Sequence, residues 1–534
     1  MTFPDRNSAN SWRSLALLAL VLLVAGIGRV RETDHPLSFD EIWLLAGSVG
    51  QGQRLQVLSV TANQMQENDA PLTSLEGTQP LSSIWKQPVP FHPPLHIATL
   101  RLWRELWGGS DRVASMLSAC CSVLAIGLAF LALRQQVGDR FATLTCLIMG
   151  LSPLQIQLGT EVRGYALAIA WTAFAVWLMV RIEKSGPTLA AVYLLGLTTL
   201  PLMLTHYFAV GNCFAILLWG CLRLPRPYRL HLLASLLLAG LLFGLTWGPY
   251  FMGNVDRDGT IFLLSDDPFW RRSLVYATDL PMRLLVHSQN RPLSACVSLA
   301  LLALVAMQVW RRDAEVLPWA LMLLLPLALL LFMDGIKSTK LTSFTRYFAM
   351  ASIGMPTASL VAAFRWRPKV AWAIGFALLG WVLLNFGTPR DIGSYYTYPA
   401  KQAFGPSIAA GPPQRPIVFW CAKSDWASLV PQSLYLEMLH AGLQSHPTMV
   451  LKSDRFDALR VQRALREACR DDRFWLIVPR PLAKDGQLPA ELQTRMPGTE
   501  VEGQPVVVPR GPGYLSPRPA ATLWLLRFSN DKAE

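Results

Sequence analysis

The sequence predicts a multi-pass α-helical membrane protein with a small soluble α/β domain at its C-terminal end. Residues of the set AVILMFWYC make up 52% of the 534 residues and charged residues only 16%, against roughly 25% charged residues in soluble domains. The mean hydropathy is +0.32. From residue 390 onward 32 of 145 residues are charged (22%), against 51 of the 389 before them (13%). We therefore expect a membrane module over 1–389 and a soluble domain over 390–534.

Windows without a charged residue mark the membrane crossings, because a charge at the centre of a span costs a few kcal/mol on insertion scales. There are ten such windows: 14–28, 113–133, 141–160, 164–180, 185–222, 230–255, 292–310, 316–333, 347–364 and 370–389. The fifth spans 38 residues and is broken near its middle by Pro201 to His206, so it counts as two crossings. No small-residue cleavage site follows Gly28, so the first window is predicted to be an uncleaved helix. The sequence thus predicts eleven crossings.

The basic residues of the short connections predict the orientation, because Lys and Arg accumulate in cytoplasmic loops. One alternating set of segments is basic: Arg6, Arg13, Arg134, Arg140, Arg181, Lys184, Arg223, Arg226, Arg229, Arg311, Arg312, Arg365, Arg367 and Lys369. We expect these and the N-terminus in the cytoplasm. The loops 29–111, 256–291 and 334–346 and the C-terminal domain then lie on the outer face of the membrane. The net charge of +13 is mostly this topology signal, and no nucleic-acid partner is needed to explain it.

The parts outside the spans carry their own secondary-structure signals. Leu37–Val49 and Phe91–Trp107 are predicted to be helices on the membrane surface, and 51–86 is predicted to be irregular. In the C-terminal domain we expect strands over 416–421, 449–452, 474–478 and 523–528, a helix over 460–470, and Pro- and Gly-rich connections over 405–416 and 504–518. Cys421 and Cys469 are the two cysteines outside the spans, and we expect a disulfide between them in an oxidising compartment; two buried free thiols are the alternative.

The spans lack acidic and basic residues at their centres, where ion-coupled transporters place them. The ionisable residues lie instead at the ends predicted to be outer: Asp40, Glu41, His92, Arg112, Glu161, Arg163, His206 and Arg346. We therefore expect a polar site at the outer membrane surface.

Ser38-Phe39-Asp40-Glu41 has two interpretations. Ser-x-x-Glu before an apolar run is a capping box, and the spacing alone favours that structural role over catalysis. The same geometry separates the two acids, since Glu41 turns back to the Ser38 backbone while Asp40 points about 100° away from it on the helix. Asp40 at a helix N-terminus is then the carboxylate suited to act as a base.

The other motifs also have structural alternatives. His92-Pro93-Pro94-Leu95 is typical of an extended chain entering a helix. In Glu161-Val162-Arg163-Gly164-Tyr165 the charges fit a membrane interface and Tyr165 fits an aromatic belt. Arg346-Tyr347 fits an interface anchor in the same way.

The order of these motifs resembles the bacterial GT-C glycosyltransferases. The resemblance covers about 34–364 and is strongest to the branch of the protein O-mannosyltransferases and the lipid A aminoarabinose transferase, related to glycosyltransferase family 39. It rests on Asp-Glu after the first span, His-Pro-Pro-Leu and Arg112 before the second, Ser-Pro and Glu-x-Arg-x-Tyr between the third and fourth, His206-Tyr207, and a late Arg-Tyr. Two departures stand out: Gly159-Thr160 replaces the usual Ser or Gln before Glu-x-Arg, and His96 replaces the usual aromatic residue.

The resemblance implies an inverting hexosyl- or pentosyltransferase that takes its sugar from a polyprenyl-phosphate donor at the outer, periplasmic face of a bacterial inner membrane. Its acceptor would be a lipid, glycan or protein hydroxyl of the cell envelope. Asp40 matches the catalytic base and Glu41 its structural neighbour, while Arg112, Arg163 and Arg346 are the donor or phosphate contacts. His92, Glu161, Tyr165 and His206 would line the site. Some relatives use a divalent metal, but no ligand set can be assembled from this sequence.

Two other classes of function stay open at this stage. A flippase or transporter of lipid-linked saccharides should depend on polar groups at the membrane midplane, which are not evident. An O-antigen-type ligase or polymerase also works with lipid-linked sugars at the outer face. Its usual mark is a long outer loop between late spans, whereas the long outer segments here are the first loop and the C-terminal domain.

Overall fold

A computed structural model describes residues 9–35, 37–51, 65–66, 72–76, 78–86, 92–255, 268–269, 273, 291–337, 345–386, 415–421, 448–452, 458–469, 473–479, 499–508 and 521–528. By its internal contacts the chain divides into two compact units. The first comprises Met1–His35 and Pro90–Gly393, and the second comprises Pro36–Val89 and Ser394–Glu534. The predicted division at residue 389 remains a prediction, and the segment 36–89 groups with the C-terminal residues.

Helices dominate the described residues. In chain order they are α1 Ala9–Val30, α2 Phe39–Ser48, α3 Ser83–Lys86, α4 Pro94–Trp107, α5 Asp111–Val137, α6 Asp139–Leu151, α7 Pro153–Leu158, α8 Tyr165–Ser185, α9 Leu189–Leu197, α10 Thr199–Thr205, α11 Val210–Arg223, α12 Arg226–Val255, α13 Arg291–Trp310, α14 Leu317–Lys337, α15 Gly354–Trp366, α16 Pro368–Leu384 and α17 Ala458–Ala468. Short 3-10 helices cover Tyr207–Ala209 and Thr345–Ala351.

In the part of the chain that the structure describes, helices lie in each of the eleven predicted spans. Within the described residues, seven helices have the length and apolar composition to cross a membrane, and three further apolar helices are shorter: Leu189–Thr205, Tyr207–Arg223 and Pro368–Leu384. The remaining predicted span, 141–160, is split into α6 and α7, because Pro153 occupies the first position of a new helix. The predicted break in the long fifth window occurs at His206, whose backbone is extended. These helices confirm the multi-pass helical fold class.

The predicted cytoplasmic connections lie at one end of the first unit, where their charges pair. Lys184 Nζ lies 2.8 Å from Glu315 Oε1, and Arg365 Nε lies 2.9 Å from Asp313 Oδ2. Arg223 Nε lies 2.9 Å from Glu183 Oε1. Loops that are far apart in sequence therefore share an end of the unit, as the alternating charge pattern predicts.

The second unit contains a six-stranded mixed sheet in the order β1-β3-β2-β4-β6-β5. The strands are β1 Met65–Gln66, β2 Ile417–Cys421, β3 Thr448–Lys452, β4 Arg473–Pro479, β5 Thr499–Val508 and β6 Ala521–Phe528. Strands β2 and β4 pair in parallel, and β6 lies antiparallel between β4 and β5. The buried side chains of Val418, Met449, Leu465, Phe474 and Leu476 form the core, which confirms the small α/β domain.

Two elements of this unit differ from the sequence prediction. The segment 51–86 is not wholly irregular, since β1 pairs antiparallel with β3, Met65 opposite Met449. Part of the predicted connection 504–518 is strand β5, which contains Pro505 and a register shift between Glu502 and Val506. A proline is tolerated there because β5 is an edge strand with an irregularity at that point. Cys469 is buried, but the side chain of Cys421 lies outside the described residues, so the disulfide remains a prediction.

Candidate active site

Four of the predicted site residues come together in the first unit, at the end opposite the paired loops that are predicted to be cytoplasmic. The guanidinium carbon of Arg163 lies 5.0 Å from the centroid of the Tyr165 ring. The ring of Tyr165 lies 5.0 Å from that of His206, with a tilt of 37° between the two planes. The turn between α7 and α8 contains Arg163, and α8 begins at Tyr165, so the Glu-x-Arg-Gly-Tyr motif delivers both residues to this cluster.

Arg346 belongs to the same cluster, although it lies far from the other members in sequence. The ring of His206 lies 5.4 Å from Phe208, and Phe208 packs edge-on against Tyr347 at 5.1 Å. The guanidinium carbon of Arg346 lies 5.4 Å from the centroid of the Tyr347 ring. A row of four rings, Tyr165, His206, Phe208 and Tyr347, therefore connects Arg163 to Arg346, and we call these six residues the arginine–aromatic row.

The 3-10 helix Thr345–Ala351 is held in place by a polar contact from a neighbouring helix. Asn212 is fully buried on α11, and its side-chain amide donates to the Met350 carbonyl oxygen at 3.3 Å. On the other side, a Cβ on Gly354 would lie 2.8 Å from the backbone nitrogen of Leu323. Close packing and one buried hydrogen bond thus position the Arg346–Tyr347 pair.

His206 is a neutral member of the row. Its Nδ1 accepts a hydrogen bond from the Phe208 backbone N–H at 3.2 Å, which leaves the ring proton on Nε2. Burial, together with the nearby charges of His92 and Arg163, lowers the pKa of His206 to about 3. The imidazole is therefore a hydrogen-bonding group without charge at neutral pH.

His96 belongs to this region as well, although the sequence marked it only as a departure from the family pattern. It lies on α4, 3% exposed, and within the described part of the chain neither ring nitrogen has a hydrogen-bond partner. Burial, followed by the charges of His92 and Arg163, lowers its pKa to about 3. The signal in the sequence was a second histidine close after His92, although only His96 lies on the helix and His92 precedes it.

Glu161 and Arg163 flank the turn that precedes α8. The Glu161 carboxylate accepts a hydrogen bond from the Gln157 side chain, and the Arg163 backbone N–H donates to the Glu161 carbonyl at 2.7 Å. Arg163 is only 7% exposed. Its positive charge therefore acts from a position with little water around it, where electrostatic interactions are stronger.

Arg112 has a different setting from Arg163 and Arg346. It lies in the first turn of α5, and its Nε is 3.6 Å from Asp34 Oδ1 in an ion pair whose side chains are 58% and 64% exposed. This ion pair is on the surface, whereas Arg163 is buried.

Arg29 is another buried arginine, which the sequence did not predict as a site residue. It binds the backbone at the junction of α6 and α7, just before the turn that contains Arg163. Arg29 extends α1 beyond the predicted window and is fully buried. Its guanidinium donates to Ser122 Oγ at 2.8 Å and to the Gly150 carbonyl at 2.9 Å. A further bond reaches the Gln155 carbonyl at 3.3 Å. These bonds join α1 and α5 to the junction of α6 and α7, where the end of α6 leaves the Gly150 carbonyl without an intrahelical partner.

Asp40 and Glu41 belong to the second unit and have contrasting surroundings there. The capping box is present: the Ser38 backbone N–H donates to Glu41 Oε2 at 2.7 Å. Glu41 is 2% exposed, while Asp40 is half-buried. The predicted structural role of Glu41 in this turn is confirmed.

A metal site is not evident in the ranges that the structure covers. No group of three or more His, Cys, Asp or Glu side chains lies close enough there to hold a metal ion. We therefore assign no ligand set, and metal dependence stays open.

A family model described as dolichyl-phosphate-mannose-protein mannosyltransferase matches residues 91–247 of this chain. The matched stretch runs from the start of α4 into α12 and contains Arg112, Arg163, Tyr165 and His206. This match confirms the predicted resemblance to GT-C glycosyltransferases over that stretch. No curated protein matches the chain.

Solved structures align with this chain at low sequence identity. The crystal structure of ArnT from Cupriavidus metallidurans bound to undecaprenyl phosphate aligns with 13% identity and a TM-score of 0.49, over 97% of this chain and 98% of that one. Its apo form aligns over the same shares with 11% identity and a TM-score of 0.40. The oligosaccharyltransferase of Archaeoglobus fulgidus, in complex with zinc and sulfate, aligns over 87% of this chain and 68% of that one, with 11% identity and a TM-score of 0.42.

Proposed function

We propose that this chain is a GT-C glycosyltransferase that transfers a sugar from a polyprenyl-phosphate carrier to a hydroxyl group of a lipid, glycan or protein. The observation that carries the proposal is the arginine–aromatic row, in which Arg163 and Arg346 are linked by four rings at one end of a helical membrane unit. The family match over 91–247 supports the same class of reaction.

The two arginines are assigned to the donor phosphate. A guanidinium group offers a planar fork of N–H donors that matches phosphate oxygens, and such charge-assisted hydrogen bonds are stronger than neutral ones. Arg163 is nearly buried, so its attraction for an anion is weakened little by solvent. As the phosphate departs with an additional negative charge, these cations stabilise it.

The histidines are assigned to the uncharged part of the substrates. His206 and His96 are neutral, because burial lowers the pKa of each to about 3. His206, whose Nδ1 already accepts from the Phe208 N–H, can donate from Nε2 to a substrate oxygen. Neutral His96 can donate to one hydroxyl and accept from another. Neither imidazole adds to the positive charge of the arginines. His92, Glu161 and Tyr165 complete the residues proposed to line the site.

The base is assigned to Asp40 of the second unit. In the proposed step Asp40 removes the proton of the acceptor hydroxyl, whose oxygen attacks the anomeric carbon of the sugar. The bond from that carbon to the phosphate oxygen breaks, and polyprenyl phosphate leaves with the bonding electron pair. One displacement inverts the anomeric configuration. Glu41 holds the helix turn and takes no proton.

The proposed orientation places the N-terminus in the cytoplasm and 390–534 in the periplasm of a bacterial cell. The charge pattern of the connections supports it. Single cysteines introduced at Arg181 and at Arg460 of a cysteine-free variant should separate the two sides. A membrane-impermeant maleimide added to intact spheroplasts should label position 460 and spare position 181. The reverse pattern would overturn the orientation.

Binding of undecaprenyl phosphate tests the role of the arginines without knowledge of the sugar. We expect Arg163→Gln and Arg346→Gln each to weaken its binding to the purified protein by about 10- to 100-fold, since a hydrogen bond to a charged group contributes about 1.5–3 kcal/mol. Arg367→Gln is the matched control, because Arg367 lies 5.4 Å from the ring of its neighbour Trp366 at the other end of the unit. Equal affinity in all three variants would refute the phosphate site.

Turnover tests the assignment of the base. Membranes of a deletion strain should accumulate the lipid-linked donor, and their extract can supply the assay. We expect Asp40→Asn to lower transfer by about 10² or more while the protein still inserts, and Glu41→Gln, which can still cap, to have a milder effect. Loss of activity in Glu41→Gln alone would reverse the two roles. Full activity in both would contradict the glycosyltransferase mechanism and favour a flippase.

A further inference from the structure

An apolar groove runs along the surface of the first unit between α1 and α5. Its volume is about 500 Å³. Every fourth residue of α1, namely Leu18, Leu22, Gly26 and Val30, lines one wall, and residues of α5 between Met116 and Leu131 line the other. The groove lies outside the arginine–aromatic row, and the proposed reaction does not use it.

Two glycines keep this groove open. A Cβ on Gly26 would meet nothing within 4 Å, so the space above it is empty. A Cβ on Gly127 would lie 3.3 Å from Leu22 Cδ2, across the groove. Around the groove, Leu23, Ile27 and Leu124 are exposed, as expected for side chains that face lipid in a membrane-spanning pair of helices. The medium at this surface is therefore hydrocarbon.

The length of the groove matches one leaflet of a bilayer. Leu18 and Val30 are twelve residues apart on a helix, which corresponds to roughly 18 Å at 1.5 Å per residue. Half of a hydrocarbon core of roughly 30 Å measures about 15 Å. A single acyl chain of one leaflet fills such a groove, whereas a polyprenyl carrier chain is far longer.

A pair of opposite charges stands at one end of the groove. Asp34 follows Val30 by four residues, and Arg112 precedes Met116 by one helical turn. Arg112 Nε lies 3.6 Å from Asp34 Oδ1, and both side chains are more than half exposed. An exposed ion pair of this kind contributes at most about 1 kcal/mol. Arg112 and Asp34 can therefore separate and each bind an opposite charge of a ligand at little cost.

We propose that this groove binds a zwitterionic phospholipid with an ammonium-bearing headgroup, such as phosphatidylethanolamine. One acyl chain lies in the groove, the phosphate contacts Arg112, and the ammonium contacts Asp34. An anionic lipid or polyprenyl phosphate lacks the cation that Asp34 requires and is repelled by this carboxylate. Bound there, the lipid joins α1 to α5 at the predicted outer surface.

Native mass spectrometry of the delipidated full-length protein tests the proposal. The protein is offered equal amounts of dioleoyl phosphatidylethanolamine and dioleoyl phosphatidylglycerol, whose acyl chains are identical. We expect one bound phosphatidylethanolamine, a bound fraction at least tenfold lower in Gly26→Phe, and no change in Gly240→Phe. Gly240 is the matched control, because a Cβ there also meets nothing within 4 Å on the exposed helix α12. Asp34→Asn should abolish the preference between the two lipids.

Equal binding by Gly26→Phe and Gly240→Phe would overturn the groove as the site. Preference of the unaltered protein for phosphatidylglycerol, or for undecaprenyl phosphate in a parallel competition, would overturn the zwitterionic occupant. A phosphatidylethanolamine with a diazirine on one acyl chain provides a test that needs no variant. Its label should fall on 18–30 and 116–131, and labelling confined to other helices would refute the proposal.

Discussion

Gly164 and Thr205 approach each other so closely that a Cβ on Gly164 would lie 2.9 Å from the Thr205 carbonyl oxygen. The same Cβ would lie 3.4 Å from Cβ of His96. Three segments that are distant in sequence therefore meet at a residue without a side chain: the start of α4, the turn before α8, and the end of α10. This contact brings Arg163, His96 and His206 into one region.

Gly164→Ala adds only one methyl group, but it should disturb the candidate site. The added methyl group meets backbone on one side, and overpacking of this kind costs about 1–3 kcal/mol. We expect a lower melting temperature and weaker binding of undecaprenyl phosphate. Gly248→Ala on α12 is the control, because its Cβ would meet nothing within 4 Å, and it should bind normally. Normal binding and stability in Gly164→Ala would show that Thr205 can move away.

Arg29→Leu should destabilise the first unit. The change removes the donor from the Gly150 carbonyl, whereas the Gln155 carbonyl keeps the Gly159 N–H as a donor. A buried acceptor left without a partner costs about 1–3 kcal/mol. We expect a loss of this size, measured by urea or thermal unfolding in detergent. The exposed neighbour Arg31 provides the control, and Arg31→Leu should change stability by less than about 0.5 kcal/mol. Equal stability of the two variants would contradict the role given to Arg29.

Stability should fall in acid because of the buried histidines. Burial and nearby positive charges lower the pKa of His96 and His206 from 6.5 to about 3. Below pH 6.5 the unfolded chain takes up protons at these positions that the folded protein does not. Above pH 6.5 these histidines therefore have little effect on the unfolding free energy. Between pH 6.5 and 3 the unfolding free energy falls, by up to about 1.4 kcal/mol per pH unit for each histidine.

His96→Phe, which restores the aromatic residue usual in the resembled family, should reduce this acid sensitivity. Thermal unfolding of the unaltered protein and the variant between pH 7.5 and 4.5 measures the difference. The two curves should diverge as the pH falls, with the variant retaining more stability. Parallel curves over this range would show that His96 does not contribute.

Glu41→Ala should loosen the first turn of α2. It removes the acceptor of the Ser38 backbone N–H, and loss of a helix cap costs about 1 kcal/mol. We expect faster amide hydrogen exchange over Phe39–Ser48 in Glu41→Ala and protection close to normal in Glu41→Gln, which keeps an acceptor oxygen. Unchanged exchange in Glu41→Ala would mean that the capping bond contributes little to the stability of this helix.

Local features of the chain were predictable without the tertiary structure. The helical spans follow from uninterrupted apolar windows, and the break at His206 follows from Pro201 and the polar residues around it. The capping box at Ser38 and Glu41 is a signal of four consecutive residues. The strands β2, β3, β4 and β6 are short apolar runs. Each of these depends on neighbours in sequence or on the solvent that the segment requires, so the sequence contains the information directly.

The tertiary structure alone decided which distant residues meet. The site residues Arg163 and Arg346 are 183 positions apart, and their common row of rings depends on how α8, α11 and α14 pack. His96 and Arg29 looked like an interfacial residue and a loop residue, because burial is a property of the packed helices and leaves no periodic signal in a single position. Strand β1 exists through its pairing with β3, and Pro505 lies in a strand because β5 is at the edge of the sheet. Composition and hydrophobic periodicity determine the secondary structure of each segment and whether it lies in lipid or water. Long-range packing determines which polar side chains are buried and which of them contact one another.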